Sequence, residues 1–170
     1  MAEREPIKFK IFIRGTIEQV WHELTKTGEP QQCFFNNVLH TTGLKVGAPI
    51  RMRSPNGKYT AVVGEVLEFD PPHRYVTSFR FTNYDDPPCK VIHELKEVPG
   101  GVEYCLTVEK VPAGTKTEHD MARGGTLIIN TLKAMVENGR PSFGTRMLFV
   151  LFKVLGPVTP KRCRSEHWPL

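Results

Sequence analysis

Residues 7–13, IKFKIFI, alternate apolar and basic positions through Lys10 and then turn apolar, which predicts a β-strand ended by Gly15. Thr16 and Gln19 match a capping box, in which each side chain satisfies a backbone N–H that a helix start leaves unpaired. Ile17, Val20, Trp21 and Leu24 follow at helical spacing and predict a short helix with one apolar stripe. Pro30 suits a first helical turn, so a second short helix is expected from there to Phe34 or Phe35.

The periodicity then changes. Between residues 37 and 111, strand-like runs (PIRMRS, KYTAVVGEVLEF, RYVTSFRFT, CKVIHELKEV, VEYCLTVEKV) are separated by Pro-, Gly- and Asn-rich turns. Fixed φ at proline and free φ at glycine make these dividers turns, so five or six strands in an antiparallel meander are expected. Residues 116–138 return to helical spacing, with Leu127, Ile128, Thr131, Leu132, Met135 and Val136 on one broad face and Gly139 at the C-terminal cap position. The order implies an α+β fold in which one long helix covers the apolar face of a sheet.

Residues 147–155, MLFVLFKVL, form the most hydrophobic stretch of the chain, and Pro157 and Pro160 end it. A helix apolar nearly all round must be covered by something. Nine residues reach only about 14 Å, against roughly 30 Å of bilayer hydrocarbon, so the stretch does not span a membrane. Three covers remain open: its own domain, a second copy in a homodimer, or a membrane surface contacted through residues 143–164.

Charge sharpens this picture. The chain of 170 residues carries a net charge of +5. Residues 139–170 hold six basic side chains against Glu166, whereas residues 1–138 hold 17 of each sign. The excess therefore sits in the C-terminal extension. A neutral body argues against nucleic-acid binding, which needs a basic face on the domain itself. The charged start, Met-Ala-Glu-Arg-Glu-Pro, has no apolar core of a signal peptide. Cys33, Cys89, Cys105 and Cys163 show no metal-ligand spacing, so they read as reduced thiols of a cytoplasmic protein with no metal or other cofactor.

Several segments carry a resemblance. They are Gly64-Glu65-Val66-Leu67-Glu68-Phe69-Asp70-Pro71-Pro72-His73-Arg74-Tyr75-Val76, then Val91-Ile92-His93-Glu94-Leu95 followed by Gly100-Gly101-Val102-Glu103. Val20-Trp21 with Glu23-Leu24-Thr25, and Leu132-Lys133-Ala134, add to them. Together they resemble the activator of heat-shock protein 90 ATPase homologue family, within the START-like (SRPBCC) helix-grip superfamily, over about residues 7–139. The resemblance implies a domain over 1–139, with 140–170 as an extension of one helix plus a Pro-rich tail. It implies a curved antiparallel sheet wrapped around a long C-terminal helix, two short helices after the first strand, and a cavity that binds a hydrophobic or amphipathic small molecule. It also implies a chaperone partner as one alternative and a cyclase- or hydrolase-like enzyme as another. Where that family often has Gly-Trp early in the long helix, this chain has Gly124-Gly125, which predicts a wider cavity mouth and a weakened helix end.

Side-chain alternation assigns the inward faces: Val102, Tyr104, Leu106 and Val108 on the last strand, Val91, His93 and Leu95 before it, and Tyr75, Thr77, Phe79 and Phe81 before that. The candidate ligand-binding residues are accordingly Trp21, Phe34, Phe79, His93, Tyr104, Leu106, Met121, Leu127 and Ile128. His93 has two readings: a polar group that fixes a ligand or carries a proton, and a core histidine with its hydrogen bonds satisfied. Asp85-Asp86 reads as a solvated turn, and His119-Asp120 as charge matching at a helix start rather than a metal pair. No Gly-rich phosphate loop, GxSxG or HExxH occurs, and nothing pairs two carboxylates, so the sequence leans toward a binding module rather than an enzyme.

Overall fold

The computed structural model describes residues 4–170. It has the helix-grip architecture. The first strand, β1 (Ile7–Ile13), leads into α1 (Ile17–Thr25), and the chain then makes β2 (Pro30–Gln31) and one 3-10 turn at Gln32–Phe34. Six strands follow: β3 (Asn37–Thr41), β4 (Pro49–Arg53), β5 (Thr60–Asp70), β6 (Arg74–Phe81), β7 (Cys89–Val98) and β8 (Gly101–Glu109). The long helix α2 spans Lys116–Asn138 and a third helix, α3, spans Phe143–Leu155. All eight strands form one antiparallel sheet in the order β1-β8-β7-β6-β5-β4-β3-β2, so the first strand pairs with the last.

The capping box at the start of α1 is present on both sides, with Gln19 N donating to Thr16 Oγ1 and Thr16 N donating to Gln19 Oε1. Gly139 ends α2 at φ 73°, a left-handed conformation that glycine adopts without a Cβ clash. The expected second short helix is reduced to the 3-10 turn. Pro30 is in a two-residue strand paired with Val38, and Phe35 and Asn36 both adopt positive φ, which turns the chain before a second helix can propagate. The Asp85-Asp86 turn is also more than solvated surface. Asp86 accepts from the backbone N–H and the hydroxyl of Thr117 at the start of α2, and Asp85 pairs with Arg162 at 2.6 Å.

Helix α2 lies over β1 and the 3-10 turn, with further contact to α1 and β8. Its attachment to β1 has two parts. At the helix end, Lys133 Nζ donates to the carbonyl of Phe12 at 2.7 Å and to Glu137, while Glu137 accepts from the backbone N–H of Arg14 at 2.8 Å. These donors hold the Glu137 carboxyl down at about 2. Midway along the helix, the ring of Phe9 stands against Gly125 so closely that a Cβ there would lie 2.1 Å from it. The Gly124-Gly125 pair thus does not open a gap. Phe9 occupies the space over Gly125, Phe35 lies 3.3 Å from the Cβ position of Gly124, and the helix runs unbroken through both.

The extension folds back onto the sheet. Arg164 bridges Tyr59, Ser165 N donates to Lys58 O at 2.9 Å, and Arg53 donates to Trp168 O at 2.9 Å. Cys163 is buried and the Arg80 guanidinium lies over the Trp168 ring. Helix α3, tethered on both sides by α2 and this pinned tail, turns Thr145, Leu148 and Phe149 toward the body, and the exposed Phe152 meets Phe35 at a ring distance of 6.4 Å.

The two glycines give a contrasting test. Alanine should gain about 1 kcal/mol of helix propensity at either site. At Gly125 that gain is outweighed by displacing Phe9, an overpacking cost of about 1–3 kcal/mol. Urea denaturation should therefore show Gly125→Ala destabilised and Gly124→Ala neutral or stabilised. Equal stabilisation of both would mean that Phe9 does not fasten the helix.

Candidate functional site

The interior divides into two apolar clusters. One gathers the inward residues of β1, β7 and β8 with α1 and α2, including Ile13, Val91, Leu95, Tyr104, Leu106, Met121 and Leu132. The other gathers Leu39, Ile50, Met52, Val62, Val66 and Tyr75 from β3 to β6. Trp21, Phe34, Phe79 and Phe81 pack against both clusters, and all four are only half-buried. Core aromatics normally bury most of their large surface. These four keep part of that surface accessible where the two clusters meet, and that junction is a seam in the grip of sheet on helix.

Each side of the seam has a local cause. Trp21 projects from the apolar stripe of α1 and meets Phe69 at 5.5 Å and Tyr75 at 6.4 Å. Phe34 comes from the 3-10 turn and sets its edge to the His93 ring at 5.7 Å. Phe79 and Phe81 alternate inward on β6 and meet edge to face at 5.1 Å. Beneath them lies a polar pair: His93 Nδ1 is 2.7 Å from the Tyr104 hydroxyl, with the two rings nearly parallel on neighbouring strands. Strand pairing brings them together, because His93 is opposite Leu106 and Leu95 opposite Tyr104, so the two polar residues are diagonal neighbours on one face.

His93 is 4% exposed, and burial alone pushes its pKa down to about 4. Its ring is therefore neutral near pH 7, and its hydrogen-bond partner is a phenol rather than a carboxylate. The observed environment is that of a core histidine with one nitrogen satisfied. Tyr104 is fully buried and its pKa is raised well above the usual value, chiefly by burial, so it stays a neutral hydroxyl. Among the described residues, no group of three or more His, Cys, Asp or Glu is placed to hold a metal ion.

The structure brings eight of the nine candidate residues to this interior. Trp21, Phe34 and Phe79 line the seam; His93 and Tyr104 form the polar pair; Leu106, Met121 and Ile128 belong to the adjoining cluster. Leu127 is half-buried and packs in neither cluster among the described residues. Besides Phe81, which alternation placed inward but which is not among the nine, sequence reasoning missed two participants. Phe9 was legible from the alternation of β1. Phe69 was not: a β-bulge between Val66 and Glu68 shifts the register and turns Phe69 inward, where simple alternation puts Glu68.

An open depression of about 560 Å³ lies elsewhere, at the end of α1 and the β3–β4 loop, lined by polar groups such as His22, Lys26, Glu29 and Thr42. None of the candidate residues borders it.

The family model described as "Activator of Hsp90 ATPase homolog 1-like protein" matches residues 14–137, from the end of β1 to the end of α2. The chain belongs to this family. Solved structures of similar shape include the Aha1 dimer from Colwellia psychrerythraea, 18% identical with a TM-score of 0.65, covering 80% of this chain and 98% of that one. An HSP90 activator from Plasmodium falciparum, PFC0360w, is 18% identical with a TM-score of 0.64, covering 81% and 99%. CalU16 from Micromonospora echinospora is 15% identical with a TM-score of 0.64 and covers 91% and 89%. These likenesses establish the fold of this family member. No curated protein matches it by sequence.

The buried histidine gives this family member a defined pH response. His93 binds its proton more weakly folded than unfolded, where its pKa is about 6.5. The unfolded chain therefore takes up the proton first as pH falls. Stability should be full above pH 6.5 and decline toward pH 4, by about 3 kcal/mol from this group. Denaturation midpoints measured across that window should fall less steeply in His93→Phe than in the parent. Parallel slopes would remove His93 as the cause.

Proposed function

We propose that this chain binds a hydrophobic or amphipathic small molecule at the seam where the two interior clusters meet, between the sheet and its cover of α1 and the 3-10 turn. The observation that supports the reading is the set of four partly exposed aromatics, Trp21, Phe34, Phe79 and Phe81, joining the two interior clusters. Apolar walls with few polar groups are what ligand pockets of this kind present. The His93–Tyr104 pair lies beneath the seam as its nearest polar group, with Nδ1 and the hydroxyl bonded to each other. The protein works in a reducing, cytoplasmic setting, in keeping with its four free cysteines. A chaperone-directed role is the second reading, favoured by the family's description and by the Plasmodium activator's likeness in fold.

Trp21 reports on the seam directly. In a Trp168→Phe variant it is the sole tryptophan, and titration with long-chain fatty acids and polycyclic aromatic probes should shift its emission saturably. Phe79→Ala should weaken that binding roughly ten-fold or more, the scale of one lost buried aromatic. A Trp21 emission that stays unchanged across the set, with native mass spectrometry showing only the bare chain, would sink the proposal.

A further inference from the structure

Helix α3 turns an apolar face to solvent. Phe143, Met147, Val150, Leu151 and Val154 are each at least half exposed, reaching 71% at Phe143 and 68% at Val154. They cluster around one side of the helix. The opposite side turns toward the body, with Thr145 buried, Leu148 and Phe149 partly buried, and the more exposed Phe152 meeting Phe35. Two apolar faces on one helix explain its continuous hydrophobicity: one is used and one is unpartnered.

Charge identifies the partner. Residues 138–165 contain no Asp or Glu, yet hold Arg140, Arg146, Lys153, Lys161, Arg162 and Arg164. Arg162 is engaged by Asp85, and Arg164 lies 3.9 Å from Glu166. Arg146 and Lys153, seven residues apart, lie along one flank of the exposed face, and both are exposed. The body up to residue 138 is neutral, so the positive field is concentrated at this helix. We infer that the outer face of α3 docks on an anionic membrane surface, lying in the interfacial plane. Its apolar side chains enter the headgroup–acyl boundary, and Arg146 and Lys153 extend their stems along it to reach lipid phosphates.

A second copy of the chain fits less well. A 13-residue helix is about 20 Å long and 10 Å wide, far short of the roughly 800 Å² per protomer that a stable interface covers. Self-association would also set one acid-free, basic surface against another. The tether at both ends favours the membrane, since the pinned tail holds the helix on the body's surface while its outer face stays presented.

The test is co-sedimentation of the full chain with phosphatidylcholine vesicles and with mixed phosphatidylcholine–phosphatidylglycerol vesicles, at low and high salt. Binding to the anionic vesicles that high salt weakens is expected. Arg146→Gln/Lys153→Gln should reduce it about 30-fold, from about five-fold per basic residue. Val150→Gln/Leu151→Gln should abolish it while the circular dichroism spectrum and melting temperature stay as in the parent, because these side chains are exposed. Absence of binding to anionic vesicles would overturn the proposal, as would equal binding to neutral ones. Light scattering that shows a dimer lost in Val150→Gln/Leu151→Gln, with no vesicle binding by the parent, would assign the face to a second copy instead.

Discussion

The contact between β1 and α2 fixes the rest of this molecule. Phe9 presses its ring onto the bare backbone of Gly125, and Lys133 and Glu137 bond the backbone at Phe12 and Arg14. An alanine at position 125 would already occupy the ring's space, so the helix comes this near only because that residue has no side chain. Since β1 pairs with β8, fastening α2 to β1 also settles the helix over the β1–β8 edge. The inward face of β4 to β6 must then be closed by other groups, and those are the aromatics of α1, the 3-10 turn and β6.

That division explains where a site forms. On the β1–β8 side the core is closed, with Ile13, Val102 and Leu132 wholly inaccessible. On the other side the cover consists of rings contributed by three separate elements, and such a cover leaves a seam. The polar pair His93 and Tyr104 sits where both regions meet and satisfies itself by a 2.7 Å hydrogen bond. Without that bond, two buried polar groups would each carry a desolvation cost of about 1–3 kcal/mol. The outer face is handled differently. Val76, Ile92 and Thr107 pair across β6, β7 and β8 and are buried among long charged side chains, with Arg74 bridging Glu68 and Glu94.

The extension follows a third logic. Its tail joins the sheet by backbone bonds at Lys58 and Tyr59, just before β5, and by side-chain bonds from β4, so it is part of the folded body rather than a loose end. Helix α3 between the two anchor points is held without being buried. Its inner stripe reaches Phe35, which in turn touches Gly124, so the helix adjoins the region where the candidate seam lies. The chain's surplus charge belongs to this segment, while the body's charges balance in number, some of them in pairs such as Lys10–Glu103, Arg74–Glu68 and Lys133–Glu137.

What the sequence determined by itself was everything governed by neighbours a few residues apart. The capping box of Thr16 and Gln19, the stop at Gly139, the span of α2 and the inward sets on β6, β7 and β8 all follow from local spacing and backbone sterics. Those features carry the α+β helix-grip fold and most of the candidate interior. The tertiary structure decided what depends on residues far apart in the chain. Phe9 fills the space that Gly124-Gly125 suggested was open, because only strand pairing brings residue 9 against residue 125. Phe69 faces inward because a bulge in the β5–β6 ladder breaks the alternation, and a bulge is a property of two strands together. Asp86 holds Thr117 at the start of α2, and Asp85, still exposed, pairs with Arg162 of the tail. Helix α3 keeps an exposed apolar face, since hydrophobicity says that a surface needs a cover but only packing shows which part of it has one.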